Sequence, residues 1–250
     1  MSRNFELLRS TGQADEIFQM LPHATVPAMQ PAGERAPQLE AGGAERDQLG
    51  KLVQRLFLSQ GGDAARTVGF IAPERGNGCS WLCAHASEML ATVVPGGVCL
   101  VDASLHAPAL HGTFRTKNPE GLADALVNSN PIEDYLCPLA RPNLWLLTAG
   151  SVPGNWEELL VSDRMQVRLA ELRAQFDFVL VDAPSLSTTN AALVLGAACD
   201  GVVLVLKANS SRRDVARKAV EEIKANNVRI LGAVLNQRTF VIPESIYRRL

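Results

Sequence analysis

The chain has 250 residues, with 24 lysines and arginines against 26 aspartates and glutamates, a formal net charge of -2. That balance excludes the basic footprint of a nucleic-acid-binding protein, while an apolar fraction of 47% is enough to bury one sizeable core. No apolar run reaches the ~18 residues of a membrane span, and the opening MSRNFELLRS lacks the apolar stretch of a signal peptide, so the expected home is the cytoplasm.

Residues 1–18 read as a short amphipathic helix with Phe5, Leu7, Leu8, Ile17 and Phe18 as its apolar members. Residues 19–44 are rich in Pro, Gly and Ala with little periodicity, a linker composition. A helical pattern runs from Glu45 to Ser59 through Leu49, Leu52, Val53, Leu56 and Phe57. From Thr67 onward strands and helices alternate. Strands are predicted at 67–72, 97–102, 144–148, 178–182, 201–207 and 229–235, and helices at 79–93, 119–128, 155–175, 188–199 and 211–226. Almost wholly apolar strands separated by helices predict an α/β fold: a doubly wound, mostly parallel sheet with helices on both faces. The division is an N-terminal extension, 1–44, and one domain, 45–250. Ligands of such sheets bind at the carboxyl ends of the strands, which places the chemistry at 72–80, 102–108, 182–190, 206–210 and Asn236. The five cysteines, Cys79, Cys83, Cys99, Cys137 and Cys199, form no C-x-x-C pair and no metal-ligand spacing, and read as buried reduced thiols.

After the first strand of the domain comes Pro73-Glu74-Arg75-Gly76-Asn77-Gly78-Cys79-Ser80, then a helical run beginning at Trp81. Strand, glycine-rich turn and helix are the parts of an anion-binding loop, in which backbone N–H groups and the helix dipole face phosphate. In G-x-x-x-x-G-K-[ST] the lysine reaches the β/γ-phosphates and the hydroxyl holds Mg²⁺. Gly78 and Ser80 fit this pattern, whereas Pro73 stands at the first glycine position and Cys79 at the lysine position. Taken alone, the segment is equally an ordinary strand-to-helix turn.

Further segments match in order. VCLVDASLHAPALH (98–111) resembles the Walker A′ strand of bacterial tyrosine kinases, and FDFVLVDAPSL (176–186) resembles their Walker B strand. NWEELLVSDRM (155–165) is similar to their helix of the form N-P-x-E-L-L-x-S-x-x-M. GLADAL (121–126) looks like the short helix after Walker A′, and DGVVLVLKANSS (200–211) and ILGAVLN (230–236) like the last two core strands. Over residues 45–240 the chain thus resembles the BY-kinase family, itself similar to the MinD/ParA P-loop ATPases. The resemblance implies ATP/ADP and Mg²⁺ as cofactors, autophosphorylation of a C-terminal tyrosine cluster, and control of exopolysaccharide or capsule assembly. It also implies a membrane partner that regulates chain length or export, a homo-oligomer, and a cytoplasmic position at the inner membrane through that partner.

Carried onto this chain, the resemblance makes Asp182 and Asp102 the catalytic pair and, with Ser80, the Mg²⁺ ligands. Arg75, Gly76, Asn77, Gly78, Cys79, Ser80 and Trp81 form the phosphate-loop side, and Asn236 reads adenine. Each has a plainer alternative: the aspartates cap the turns after their strands, Ser80 is a helix N-terminal hydroxyl, Arg75 is an exposed loop residue, and Asn236 is a turn residue. The departures carry information of their own. Cys79 supplies no cation, Ser104 replaces a second aspartate, His106 and Ala107 stand at positions usually basic, and Glu74 stands where MinD-type loops have a lysine. Tyr247 is the phosphoacceptor candidate in a tail with no other tyrosine, and Gln48 to Gln54 is a degraded form of the family's Glu-x-x-Arg-x-x-Arg oligomerisation pattern. Three functions follow: an impaired, pseudokinase-like regulator; an active autokinase or ATPase with Arg75 as substitute cation; and a MinD/ParA-like positioning protein using residues 1–18. Cys79 has a further alternative as a reactive thiol, because a helix N-terminus lowers thiol pKa.

Overall fold

The computed structural model describes residues 39, 42–58, 64–117, 120–208 and 210–237. The helix read over 1–18, most of the linker, and Tyr247 lie outside the described residues. In chain order the elements are α1 (Gly43–Phe57), β1 (Thr67–Ile71), α2 (Cys79–Val93), β2 (Val98–Asp102), α3 (Leu110–Thr113) and α4 (Leu122–Val127). There follow a 3-10 turn (Ile132–Tyr135), β3 (Leu136–Pro138), β4 (Leu144–Leu147), α5 (Trp156–Leu160), α6 (Asp163–Gln175) and β5 (Phe178–Asp182). The chain then forms α7 (Ala191–Ala198), β6 (Gly201–Lys207), α8 (Arg213–Ala225) and β7 (Ile230–Asn236).

Among the described residues the strands form one sheet of order β3-β4-β2-β5-β1-β6-β7. Every neighbouring pair is parallel except β3–β4. The predicted doubly wound class is therefore found. All five residues of each of β1, β2 and β5 are buried, which is why these strands read as unbroken apolar runs rather than alternating ones. Alternation survives in which face each residue serves. Val68, Phe70, Val98, Leu100, Phe178 and Leu180 pack with α1, α2 and α3 through Leu49, Val53, Leu90 and Leu110. Ile71, Cys99, Val101, Val179 and Val181 pack on the opposite face, against Leu122, Leu169, Leu193 and Ile223 of the other helices.

The continuous helix predicted over 155–175 is two helices. The chain breaks between Leu160 and Asp163, where the Ser162 hydroxyl donates to the Leu159 carbonyl at 2.6 Å. A serine bonding back onto the preceding turn satisfies a carbonyl that a continuing helix would use, and so ends α5. Strand β3 was not predicted, being three residues long and ending in Pro138, a residue confined to sheet edges because it donates no ladder bond.

Two polar side chains under the helices hold carbonyls that helix ends leave open. Asn143 Nδ2 donates to the Ala91, Val94 and Gly96 carbonyls at 3.0–3.2 Å, closing the end of α2. Arg168, 5% exposed on α6, donates to the Ala125, Asn128 and Asn130 carbonyls at 2.8–2.9 Å and pairs with Glu171 at 2.7 Å. Replacing Arg168 with methionine keeps much of the packed stem but strands three carbonyls, while the partly exposed Glu171 carboxylate turns to water. The expected loss is about 2–4 kcal/mol of stability, measured by urea unfolding. A midpoint unchanged from the parent would mean water replaces the guanidinium at no cost.

Candidate functional site

The site forms where β1, β2 and β5 end together and α2 begins. Between β1 and α2 the backbone makes a tight loop whose two glycines are left-handed, Gly76 at φ 82° and Gly78 at φ 80°. Gly78 is the N-cap of α2. A side chain here would be strained by the backbone alone, and a Cβ at Gly78 would also collide with the Asn236 amide. The first N–H groups of α2, from Cys79 on, have no partners within the helix and sit at its positive end. The strand, glycine turn and helix start expected at Gly76–Ser80 are present.

The two predicted aspartates come together. Strand β2 pairs with β5 so that Asp102 lies directly opposite Asp182. Both follow, at a spacing of two, residues that face α2 (Leu100 and Leu180), so both carboxylates point to the side of the sheet on which the loop sits. Each is fully buried. Asp102 Oδ2 accepts from the Ala109 and Leu110 N–H groups at 3.2 and 3.0 Å, and its Oδ1 has no partner. Neither oxygen of Asp182 completes a hydrogen bond. Burial, then the charge of Asp102, push Asp182 up to about 8, while the Ser80 hydroxyl and the Cys79 thiol nearby draw it back by less. Burial also raises Asp102, to about 6, against the N–H groups it accepts and the pull of His111. Two carboxylates this close titrate as a unit, and burial with their mutual repulsion favours a proton shared on the pair.

Buried oxygens without partners are costly, so they mark a place for a cation or donor. Among the described residues no group of three or more His, Cys, Asp or Glu side chains is assembled to hold a metal. Two carboxylates and the Ser80 hydroxyl do suit Mg²⁺, which keeps several waters and takes phosphate oxygens as its other ligands. The residues present fit that ion.

Cys79 keeps some exposed surface, yet its sulfur is desolvated and lies against Asp182. Burial first, then the neighbouring carboxylate, push its pKa well above the ordinary thiol range. The helix N-terminus would act in the opposite direction and is outweighed. The residue at the lysine position is thus a neutral thiol, and the expectation of an activated thiolate is not met. Cys83, one turn further along α2, is buried and shifted the same way.

The remaining predicted residues lie around the loop. Arg75 is exposed, and its Nη1 sits 3.0 Å from His106 Nε2 on the loop after β2. The His106 ring in turn meets Trp156 of α5 at a centroid distance of 5.6 Å. Trp81 is 38% exposed and lies back along α2, stacked on His85 at 3.9 Å. Asn236 does not stand free at the end of β7, because its amide donates to the Asn77 carbonyl at 3.0 Å and the Gly78 carbonyl at 3.4 Å. Asn77 is itself buried, donating to the Val205 carbonyl. Sequence reasoning misses Ser211, which receives the Asn77 amide at 3.5 Å across 134 residues of chain, and Trp156, which nothing in a linear motif ties to the loop.

No protein-family model matches the chain. Over 139 residues, 56% of the chain, it is 33% identical to Tyrosine-protein kinase YwqD of Bacillus subtilis (strain 168), and the match covers 59% of that protein. The chain therefore spans about three fifths of the length of the first curated relatives it matches. The chimerical protein CapA2B2 superposes at a TM-score of 0.73 with 22% identity, covering 91% of this chain and 99% of that one. The septum site-determining protein MinD of Pyrococcus horikoshii OT3, solved with Mg-ADP, superposes at 0.58 with 21% identity over 73% and 76% of the two chains. The homologues of this chain are bacterial tyrosine kinases, and its fold is the P-loop fold that BY-kinase domains and MinD/ParA ATPases share.

Proposed function

We propose that the chain binds ATP or ADP with Mg²⁺ at Gly76–Ser80 and acts as a catalytically impaired, kinase-like regulator of exopolysaccharide or capsule assembly and export. The observation that carries the reading is a neutral thiol at the lysine position beside an intact carboxylate pair in which Asp102 Oδ1 and both Asp182 oxygens lack hydrogen-bond partners. The loop N–H groups would receive the β-phosphate. Ser80 and Asp182 would hold Mg²⁺, which would offset the charge on the phosphates. Asp102 would accept the proton of an incoming hydroxyl. What is missing is the fixed positive charge that stabilises the transferring phosphoryl group.

In this reading the chain works through contacts, with a membrane polysaccharide chain-length or export protein as partner and further copies of itself as neighbours. Its position is cytoplasmic, peripheral to the inner membrane through that partner. Tyr247 is the candidate phosphoacceptor if transfer occurs. The same carboxylate pair favours a second reading, an active autokinase or ATPase in which Arg75 supplies the cation once it leaves His106. A MinD/ParA-like positioning role rests on fold likeness alone.

Calorimetry of the full chain with ADP–Mg²⁺ and ATP–Mg²⁺ tests the proposal, alongside release of phosphate and labelling of Tyr247. The expected result is measurable binding of both, affinities that fall about tenfold or more in Ser80→Ala without changed stability, and turnover no faster than buffer. Turnover that disappears in Arg75→Ala would establish the second reading instead. An absence of any binding would remove both.

A further inference from the structure

We infer that Asn77 and Asn236 are positioning residues, a two-amide brace that fixes the phosphate loop in its anion-receiving shape before any ligand arrives. One amide reaches from the loop down into the sheet. Asn77, 5% exposed, donates through Nδ2 to the Val205 carbonyl of β6 at 3.2 Å and to Ser211 Oγ at 3.5 Å. That hydroxyl is itself fixed by the Lys207 N–H at 2.9 Å. The other amide reaches from the sheet up to the loop. Asn236, last residue of β7, donates to the carbonyls of Asn77 and Gly78, and its Oδ1 accepts the Gln237 N–H at 2.9 Å.

The geometry says what the brace controls. A peptide unit is planar and trans, so its C=O and the next N–H point in opposite directions. Holding the Asn77 carbonyl against Asn236 therefore aims the Gly78 N–H the other way, and the Gly78 carbonyl, which also accepts the Leu82 N–H at 3.0 Å, turns the Cys79 N–H away from both. Those N–H groups are the donors an anion would meet at the start of α2. The brace also accounts for Gly78, since any Cβ there would meet the Asn236 amide nitrogen. With a neutral thiol at residue 79, the direction of these N–H groups is the main thing the loop itself offers a phosphate.

The binding arm of the test rests on the nucleotide reading above, and the exchange arm does not. Amide hydrogen exchange of the full chain without ligand, for the parent, Asn77→Ala, Asn236→Ala and Asn236→Asp, reads the loop directly. Asn236→Asp keeps size and shape but removes both donors and sets an oxygen against two carbonyls. The expected result is exchange about tenfold faster across residues 76–82 in each variant, with β2 and β5 unchanged, as befits about one lost hydrogen bond. Titration with ADP–Mg²⁺ and with pyrophosphate should show dissociation constants raised about tenfold, and the double variant should be little worse than either single one because the two amides act as a unit. Unchanged loop exchange in Asn236→Asp overturns the inference. So does exchange that rises equally in β2 and β5, which would mean the amides only support the fold. If the parent binds neither probe, the nucleotide reading fails while the exchange result still decides the brace.

Discussion

Cys79→Lys should bind ATP–Mg²⁺ about tenfold more tightly than the parent chain and turn it over roughly 10²–10³ times faster. The reasoning starts from charge. The parent site presents two buried carboxylates and a thiol whose pKa lies well above its ordinary value, so it contributes no cation of its own. A lysine at the same place projects its ammonium along the loop toward the β/γ-phosphates. Near Asp182 that ammonium also favours the ionised carboxylate, and thus the form that holds Mg²⁺. Cys79→Met adds volume without charge and is the matched control. Pre-steady-state phosphate release and labelling of the tail tyrosine would read both variants. If Cys79→Lys gains nothing over Cys79→Met, the missing cation is not what limits the parent chain.

Asp182→Asn should make the protein more stable while abolishing Mg²⁺-dependent nucleotide binding. An unfolded aspartate titrates near 3.9, whereas the folded Asp182 is pushed up to about 8 by burial and by Asp102. The native state therefore binds the proton more tightly than the unfolded state. Its contribution is most favourable below about pH 4 and is lost progressively as pH rises through the folded value near 8. Asparagine does not ionise, and its amide can donate toward the unpartnered Asp102 Oδ1. The gain near pH 8 is on the order of 2–4 kcal/mol, or roughly 5–15 °C in Tm, shrinking toward pH 5. Thermal melts of both proteins from pH 5 to 8 would show the two curves converging at the acid end. Parallel curves would mean that Asp182 is ionised throughout. The trade of stability against binding is the usual cost of a site assembled from buried charge.

Much of the frame was legible because parallel strands covered on both faces are apolar throughout. Strands β1, β2, β4, β5, β6 and β7 all lie within a residue or so of the runs that predicted them. The split at Ser162 was not legible, since NWEELLVSDRM keeps a helical spacing of apolar residues across the break. Strand β3 escaped because three residues carry no period. At the site, the glycine loop, Asp102 and Asp182 were readable from their places at strand ends. Their mutual approach is carried by the family resemblance alone, because nothing local in the sequence says that β2 and β5 are neighbours. The raised pKa of Asp182 and the neutrality of Cys79 follow from that neighbourhood and are not legible in the sequence. The roles of Asn77, Ser211 and Asn236 depend on contacts spanning 128 to 159 residues, which no motif records.

The strand pairing of Asp102 with Asp182 also separates the fates of the two halves of the site. The carboxylates are set by a backbone ladder, Cys99 to Val179 through Asp102 to Asp182, and a slip of one residue would turn both to the other face with the whole apolar pattern. They are anchored by the same pairing that builds the core. Residue 79 has no such tether, being the first residue of a helix after a loop. A substitution at residue 79 can therefore change the loop's charge and leave the acidic half standing, ready for use if a cation is restored.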